Sequence, residues 1–278
     1  ARMQMQYANL NTENVGSTVK PVYTDQFFTR RMYLTFKAGM GDWGTVFTYD
    51  FAGRSYDDAI IEYKPNPDLT FNFGLRKVNV AYEERGSSGN IKAIERSGIT
   101  RYFVETNNGR RLGAASYRIG AFLDGKKDLN NIYTIVYSAA ITNPQRDETF
   151  SGASSAGSAA TNRKAVWGTL GLTGKLPENG SWIIGSGAGW LPDQGGASNT
   201  NLGKRYDLSI TSFFFDATYK KYSLLSEYLT AKVESTINMT PYGYYIQPAY
   251  LLTDTFEIVG RYQYLNTDGR GVNLGDVV

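Results

Sequence analysis

No cysteine and no histidine occur in this sequence of 278 residues. The first absence removes disulfides, thiolate metal sites and cysteine nucleophiles. The second removes the commonest general base and a frequent metal ligand, so a catalytic site would have to be built from carboxylates or lysine. No catalytic residue, metal site or other cofactor is expected. Proline is scarce, at 8 residues, and no run of about 18 apolar residues occurs, so no transmembrane helix is expected. The chain does not open on a charged segment followed by an apolar one, so no signal peptide is read. Ala1-Arg2-Met3 already reads as strand, which implies a processed or trimmed start. The formal net charge is only +3, too small an excess to suggest a nucleic-acid partner.

What is present suits strands. Aromatic residues make up 14%, with 21 Tyr, 14 Phe and 4 Trp, and there are 30 Gly, a balance that favours many strands joined by tight turns. The mean hydropathy of −0.37 does not exclude a membrane protein, because a transmembrane barrel alternates lipid-facing and lumen-facing residues and averages out as soluble.

A period of two runs through the chain. Met3, Met5 and Tyr7 alternate with Arg2, Gln4 and Gln6; Met32, Leu34 and Phe36 alternate with Arg31, Tyr33, Thr35 and Lys37. Leu69, Phe71, Phe73 and Leu75 alternate with Thr70, Asn72, Gly74 and Arg76; Phe256, Ile258, Tyr262 and Tyr264 alternate with Glu257, Arg261 and Gln263. Such a period gives one apolar and one polar face. It predicts about thirteen strands, near 2–9, 27–38, 43–52, 57–65, 69–78, 110–122, 131–140, 165–176, 181–191, 204–220, 222–232, 242–253 and 256–265. A slip of parity at Ser212-Phe213-Phe214-Phe215 suggests a bulge, and the 222–232 segment carries apolar residues on both faces.

The connections alternate long and short. Residues 10–26, 79–109, 141–164, 192–203 and 233–241 are long; Gly39 to Asp42, Pro65 to Asp68, Pro177 to Gly180, Lys221 and Thr253 to Thr255 are short. Antiparallel strands send alternate turns to opposite ends, so long loops share one end and short turns the other, as in outer-membrane barrels. A soluble sandwich has no reason to keep that asymmetry. The fold class is therefore all-β, a single transmembrane antiparallel β-barrel domain over 1–278. Single-chain bacterial barrels close on an even strand number, and Gly271 to Val278 reads as loop, so C-terminal closing strands are expected to be missing from the chain as given.

Anion pores line the lumen with lysine and arginine. By parity Arg31, Lys37, Arg76, Arg118, Lys220 and Arg261 face inward, together with Asp50, Glu62 and Glu257. The competing reading is that these are lumen salt bridges that stiffen the wall. The 79–109 segment is the candidate constriction loop. It carries Glu83, Glu84, Arg85, Lys92, Glu95, Arg96 and Arg101, with Ser87, Ser88 and Asn90 as neutral hydrogen-bonding groups; otherwise it is a surface loop. The 151–161 run of Ser, Gly and Ala is a low-complexity external linker. Gly185-Ser186-Gly187-Ala188-Gly189 reads as a small-residue face where a strand bends or abuts another surface, and Trp43, Trp182 and Trp190 as parts of aromatic girdles.

Several stretches resemble the phosphate-selective porin O/P family. Ala1 to Tyr7 is similar to its first strand. Phe27-Phe28-Thr29-Arg30-Arg31-Met32-Tyr33-Leu34-Thr35-Phe36, with Asp42-Trp43-Gly44 and Tyr49-Asp50-Phe51-Ala52, resembles its opening hairpin. Ile94-Glu95-Arg96-Ser97 resembles a motif near the end of its inward-folded third loop, Arg110 to Gly113 the start of the next strand, and Tyr245 to Tyr250 with Phe256 to Tyr262 a late hairpin. The resemblance implies sixteen strands, three more than are read here, a homotrimer, and uptake of phosphate or related anions. It also implies residence in the bacterial outer membrane, among lipid and lipopolysaccharide. Within the third loop a Ser-Ser pair is kept, but Glu84 stands near where the family places a lysine.

The expected function is passive diffusion of small solutes, leaning to anions such as phosphate, with no chemical conversion. Pore-lining or anion-binding roles are expected of Arg31, Lys37, Arg76, Arg85, Ser87, Ser88, Arg96, Arg118, Lys220 and Arg261. The rival readings are a structural or adhesive barrel with a blocked lumen, and a soluble β-rich carbohydrate-binding protein or hydrolase.

Overall fold

A computed structural model describes residues 1–12, 22–87, 89–93, 95–105, 111–144, 163–194, 206–235 and 238–272. It contains one antiparallel sheet. The strands are β1 (Arg2–Thr12), β2 (Val22–Met40), β3 (Trp43–Asp50), β4 (Ser55–Asn66), β5 (Leu69–Lys77), β6 (Tyr117–Asp128), β7 (Tyr133–Thr142), β8 (Ala165–Lys175), β9 (Ser181–Gln194), β10 (Tyr206–Tyr219), β11 (Tyr222–Glu234), β12 (Tyr242–Leu251), β13 (Glu257–Val259) and β14 (Tyr262–Asn266). Each pairs with its sequence neighbour, an up-and-down meander, except that β14 pairs with β12 rather than β13. The 151–161 linker lies outside the described residues.

The last two strands form one lane. Both pair with β12 in a single register, Ala249 opposite Val259 and Ile246 opposite Tyr262. The gap falls at Gly260 and Arg261, opposite Pro248 and Gln247. Proline has no N–H to give to a ladder, and the surviving bond is Gly260 N–H donating to the Pro248 carbonyl at 3.0 Å. Fourteen segments thus occupy the thirteen lanes that the alternation predicts. Among the described residues the sheet is open, with β1 and the β13–β14 lane at its edges.

The sheet is inside out relative to a soluble protein. Met32, Phe36, Ile61, Phe73, Ile141, Leu170, Ile184, Phe213, Ile246 and Ile258 are exposed on the outward face, while Arg31, Thr48, Asn72, Arg118, Ser212, Glu227 and Gln247 are buried on the inward one. An exposed apolar patch of this extent marks a membrane-facing surface. Aromatic residues crowd both ends. At the short-turn end Trp43 packs on Tyr63 at 4.7 Å between ring centroids, Tyr222 on Tyr250 at 5.0 Å and Tyr133 on Trp182 at 6.1 Å. At the long-loop end Tyr49 meets Phe51 and Tyr56, and Trp190 lies under the Arg163 guanidinium. Such girdles mark the two interfaces of a bilayer.

The apolar core lies inside the curve of the sheet. The β5–β6 connection folds inward and carries two short helices, α1 (Tyr82–Arg85) and α2 (Gly98–Val104). The alternation of the strands gave no sign of either. Ser97 caps α2, its hydroxyl accepting from Thr100 N–H at 3.0 Å. Val78, Val80, Ile99, Tyr102, Phe103, Val104 and Leu112 of this connection bury themselves against Trp167, Leu191, Leu208, Ile210, Leu229, Ala231, Val233 and Tyr245 of the wall. Each fully buried side chain of this size contributes roughly 1.5–3 kcal/mol, so the connection is packed in place rather than draped.

This packing corrects two readings of the sequence and explains a third. No bulge occurs at Ser212 to Phe215: the β10 register with both neighbours runs unbroken there, and the irregularity lies between Tyr206 and Leu208. Parity slips in the sequence only because Phe214, an inward residue, is apolar, where the Tyr82 ring stacks on it at 4.7 Å. Likewise β11 has two apolar faces because Leu229, Ala231 and Val233 lie beneath the inward connection. Finally, the strand expected over 110–122 begins only at Tyr117, since 111–116 still belongs to that packed connection.

Candidate functional site

The β5–β6 connection reaches the far wall through paired polar groups. Glu227, 1% exposed on β11, accepts from Tyr82 N–H at 2.7 Å and Glu83 N–H at 3.3 Å, and from the Tyr245 hydroxyl at 3.2 Å. Glu83 accepts from the Thr100 hydroxyl at 2.6 Å and Ser97 N–H at 2.9 Å, and pairs with Arg261 at 3.1 Å. Glu95 takes Arg30 at 2.9 Å and Arg31 at 3.1 Å. Those two arginines are adjacent in sequence and would normally face opposite sides. The register of β1 with β2 skips Arg30, placing Gln4 opposite Arg31 and Met5 opposite Thr29, and this bulge aims both at one carboxylate. Burial works to raise the pKa of Glu95, but the hydrogen bonds and charges of Arg30 and Arg31 outweigh it and hold the carboxyl below its ordinary 4.5.

Among the described residues, two cavities border the connection in the lumen. The larger, about 790 Å³, lies against β2 to β6. Its cationic side chains are Arg2, Lys64, Arg76, Lys77, Arg85 and Arg96, and its carboxylates are Asp57, Asp58, Glu62, Glu84 and Asp124. The charges nearly balance. The smaller, about 330 Å³, lies between the loop and β10 to β12, and Arg85, Gly86 and Ser87 line both. Arg85 therefore stands at the divide. Its guanidinium lies 4.2 Å from the Tyr82 ring centroid and 5.2 Å from that of Phe214. Burial and the Asp216 carboxylate, which accepts from the Tyr82 hydroxyl at 2.8 Å, push that phenol up to about 12, so Tyr82 stays a neutral stacking partner.

The ten residues singled out from the sequence fall into distinct places. Arg31, Arg76, Arg96 and Arg261 are paired with Glu95, Asp124, Glu84 and Glu83 respectively: the first and last pairs are struts between wall and loop, Arg76–Asp124 joins two wall strands, and Arg96–Glu84 lies within the loop. Arg85 and Ser87 form the divide, with Ser87 accepting from Arg2 at 3.1 Å. Arg118 is 4% exposed behind the loop, donating to the Tyr117 and Gly113 carbonyls at 2.8 and 2.7 Å, and does not line either cavity. Lys37 shares the inward face of Thr35 but lies exposed toward the short turn. Lys220 does not face the lumen: it forms the β10–β11 turn, with φ of 54°, and pairs with Glu178 at 3.1 Å. Ser88 lies outside the described residues. Glu84, where a lysine was expected by resemblance, is held between Lys77 at 3.1 Å and Arg96 at 2.9 Å.

Sequence reasoning missed Glu227, Tyr82 and Phe214. The first had a signal: a lone carboxylate at an inward position of a strand otherwise apolar on both faces. The aromatic pair had none, since its members are 132 positions apart and meet only once the loop folds in.

An antiparallel meander with an apolar exterior, aromatic ends and an inward loop across a polar lumen defines a porin-type β-barrel protein. The chain matches the phosphate-selective porin O and P family over residues 1–276 and belongs to it, a family of bacterial outer-membrane porins. No curated protein matches the chain.

Proposed function

We propose that the protein conducts small anions passively, with Arg85 as the residue that favours them. The supporting observation is the contrast among lumen arginines. Arg31, Arg76, Arg96 and Arg261 each have a carboxylate at salt-bridge distance, whereas Arg85 is held by two aromatic rings and has no carboxylate there among the described residues. A paired arginine presents little net field to a passing ion. An arginine on aromatic faces keeps its charge and its edge N–H donors, which suit phosphate or another oxyanion. In a lumen whose other charges nearly balance, one unneutralised cation at the divide decides the sign of the ion preferred.

No chemical conversion is assigned to the lumen. Zero-current potentials across a planar bilayer with a salt gradient test the reading. Wild-type protein is expected to prefer anions, and Arg85→Glu to reverse or abolish that preference. A reversal potential unmoved by Arg85→Glu overturns the proposal. The resemblance further suggests phosphate among the solutes, lipopolysaccharide and lipid as surroundings, and a homotrimer.

A further inference from the structure

The two lumen cavities differ in chemistry. Of the four charged side chains of the smaller one, Glu83 is paired with Arg261 and Lys92 with Glu257, while Asp216 keeps its charge and accepts from the Tyr82 hydroxyl. That leaves Arg85 as its one cation without a carboxylate at salt-bridge distance among the described residues. Ile91 and Leu225 also line it, both half-buried, with Leu225 packed on the apolar core. A pocket of about 330 Å³ is at the lower end of the range for small-molecule sites, about 300–1,000 Å³. One cation, one aliphatic wall and a neutral aromatic flank are the parts that bind an organic anion by both of its ends.

We propose that this cavity is a binding site for small amphipathic carboxylates, such as a benzoate-type monoanion. The carboxylate meets the Arg85 fork in two parallel hydrogen bonds, and the apolar body lies on Ile91 and Leu225. The inference rests on the reading of Arg85 as the unneutralised lumen cation. It adds that the protein discriminates between anions of equal charge by their apolar bulk, which a field alone cannot do.

Block of chloride current by benzoate and by acetate, added separately to the full chain in a planar bilayer, tests it. The two carry the same charge and the same headgroup. Half-block is expected at a benzoate concentration about tenfold or more below that for acetate, the scale on which hydrophobic pockets sort ligands. Ile91→Ser is expected to shrink that ratio several-fold, and Arg85→Ala to weaken block by both. Equal potency of benzoate and acetate on wild-type protein overturns the inference, and so does a ratio unchanged in Ile91→Ser. Salt-gradient potentials report separately on the anion preference itself, so loss of discrimination with that preference intact removes only the amphipathic site.

Discussion

At the scale of single residues, one glycine decides whether the loop can dock. A Cβ at Gly187 would sit 2.6 Å from the Val80 carbonyl oxygen and 2.9 Å from its Cα, so any larger residue must push the loop backbone off β9. Ser212 donates to that same carbonyl at 2.6 Å, and Thr169 donates to the Asn79 carbonyl at 2.7 Å. Gly187→Val should break both bonds, each worth about 0.5–1.5 kcal/mol net, and free the loop's first turn. Single-channel recordings should then show a larger and noisier conductance; a wild-type trace would count against the loop as the narrowing element. The sequence suggested that this glycine stripe abuts a surface, and it does. It could not say which surface, because the partner lies more than a hundred residues away.

At the scale of elements, the inward connection is tied down by charge at its β2 side and at the β13–β14 lane. Glu95 is one of these joints. Its carboxyl is held below 4.5 by Arg30 and Arg31, so its contribution to docking is complete above that value and fades as pH falls through the lowered one. Acidification beneath pH 4.5 should therefore bring flickering of the open current. Glu95→Gln should flicker already at neutral pH and gain no further step on acidification. A wild-type channel as quiet at pH 3 as at pH 7 would show that apolar packing alone holds the connection. The thirteen lanes were readable, since each strand obeys a period of two, but their ends were not: β2 starts five residues before its expected start and β6 seven residues after. The helices were not: α1 spans four residues and α2 seven, too short for a helical period to emerge, and α2 is buried all round, so it has no polar face to display. The candidate site was half legible. Parity found Arg31, Arg76 and Arg261, but only geometry separates these carboxylate-paired arginines from Arg85.

At the scale of the whole molecule, the exposed exterior and the buried polar interior follow from one rule, that each face matches the medium it meets. Where the rule fails, in β10 and β11, the medium is neither lipid nor water but another part of the same chain. The open sheet leaves assembly to be measured. Light scattering of the detergent-solubilised particle should give three chains per particle if the proposed homotrimer forms, and a single-chain mass would remove it.

The greasy packing of the inward connection lies chiefly on the β8–β12 side, while the larger cavity runs along β2 to β6. The loop therefore leaves more open volume beside one arc of the wall than beside the other. On the proposed reading, an ion moves mainly along that arc, shedding hydration against Thr, Asn and Arg side chains there. The opposite arc serves as a solid bearing that sets how far the dividing arginine protrudes into the stream.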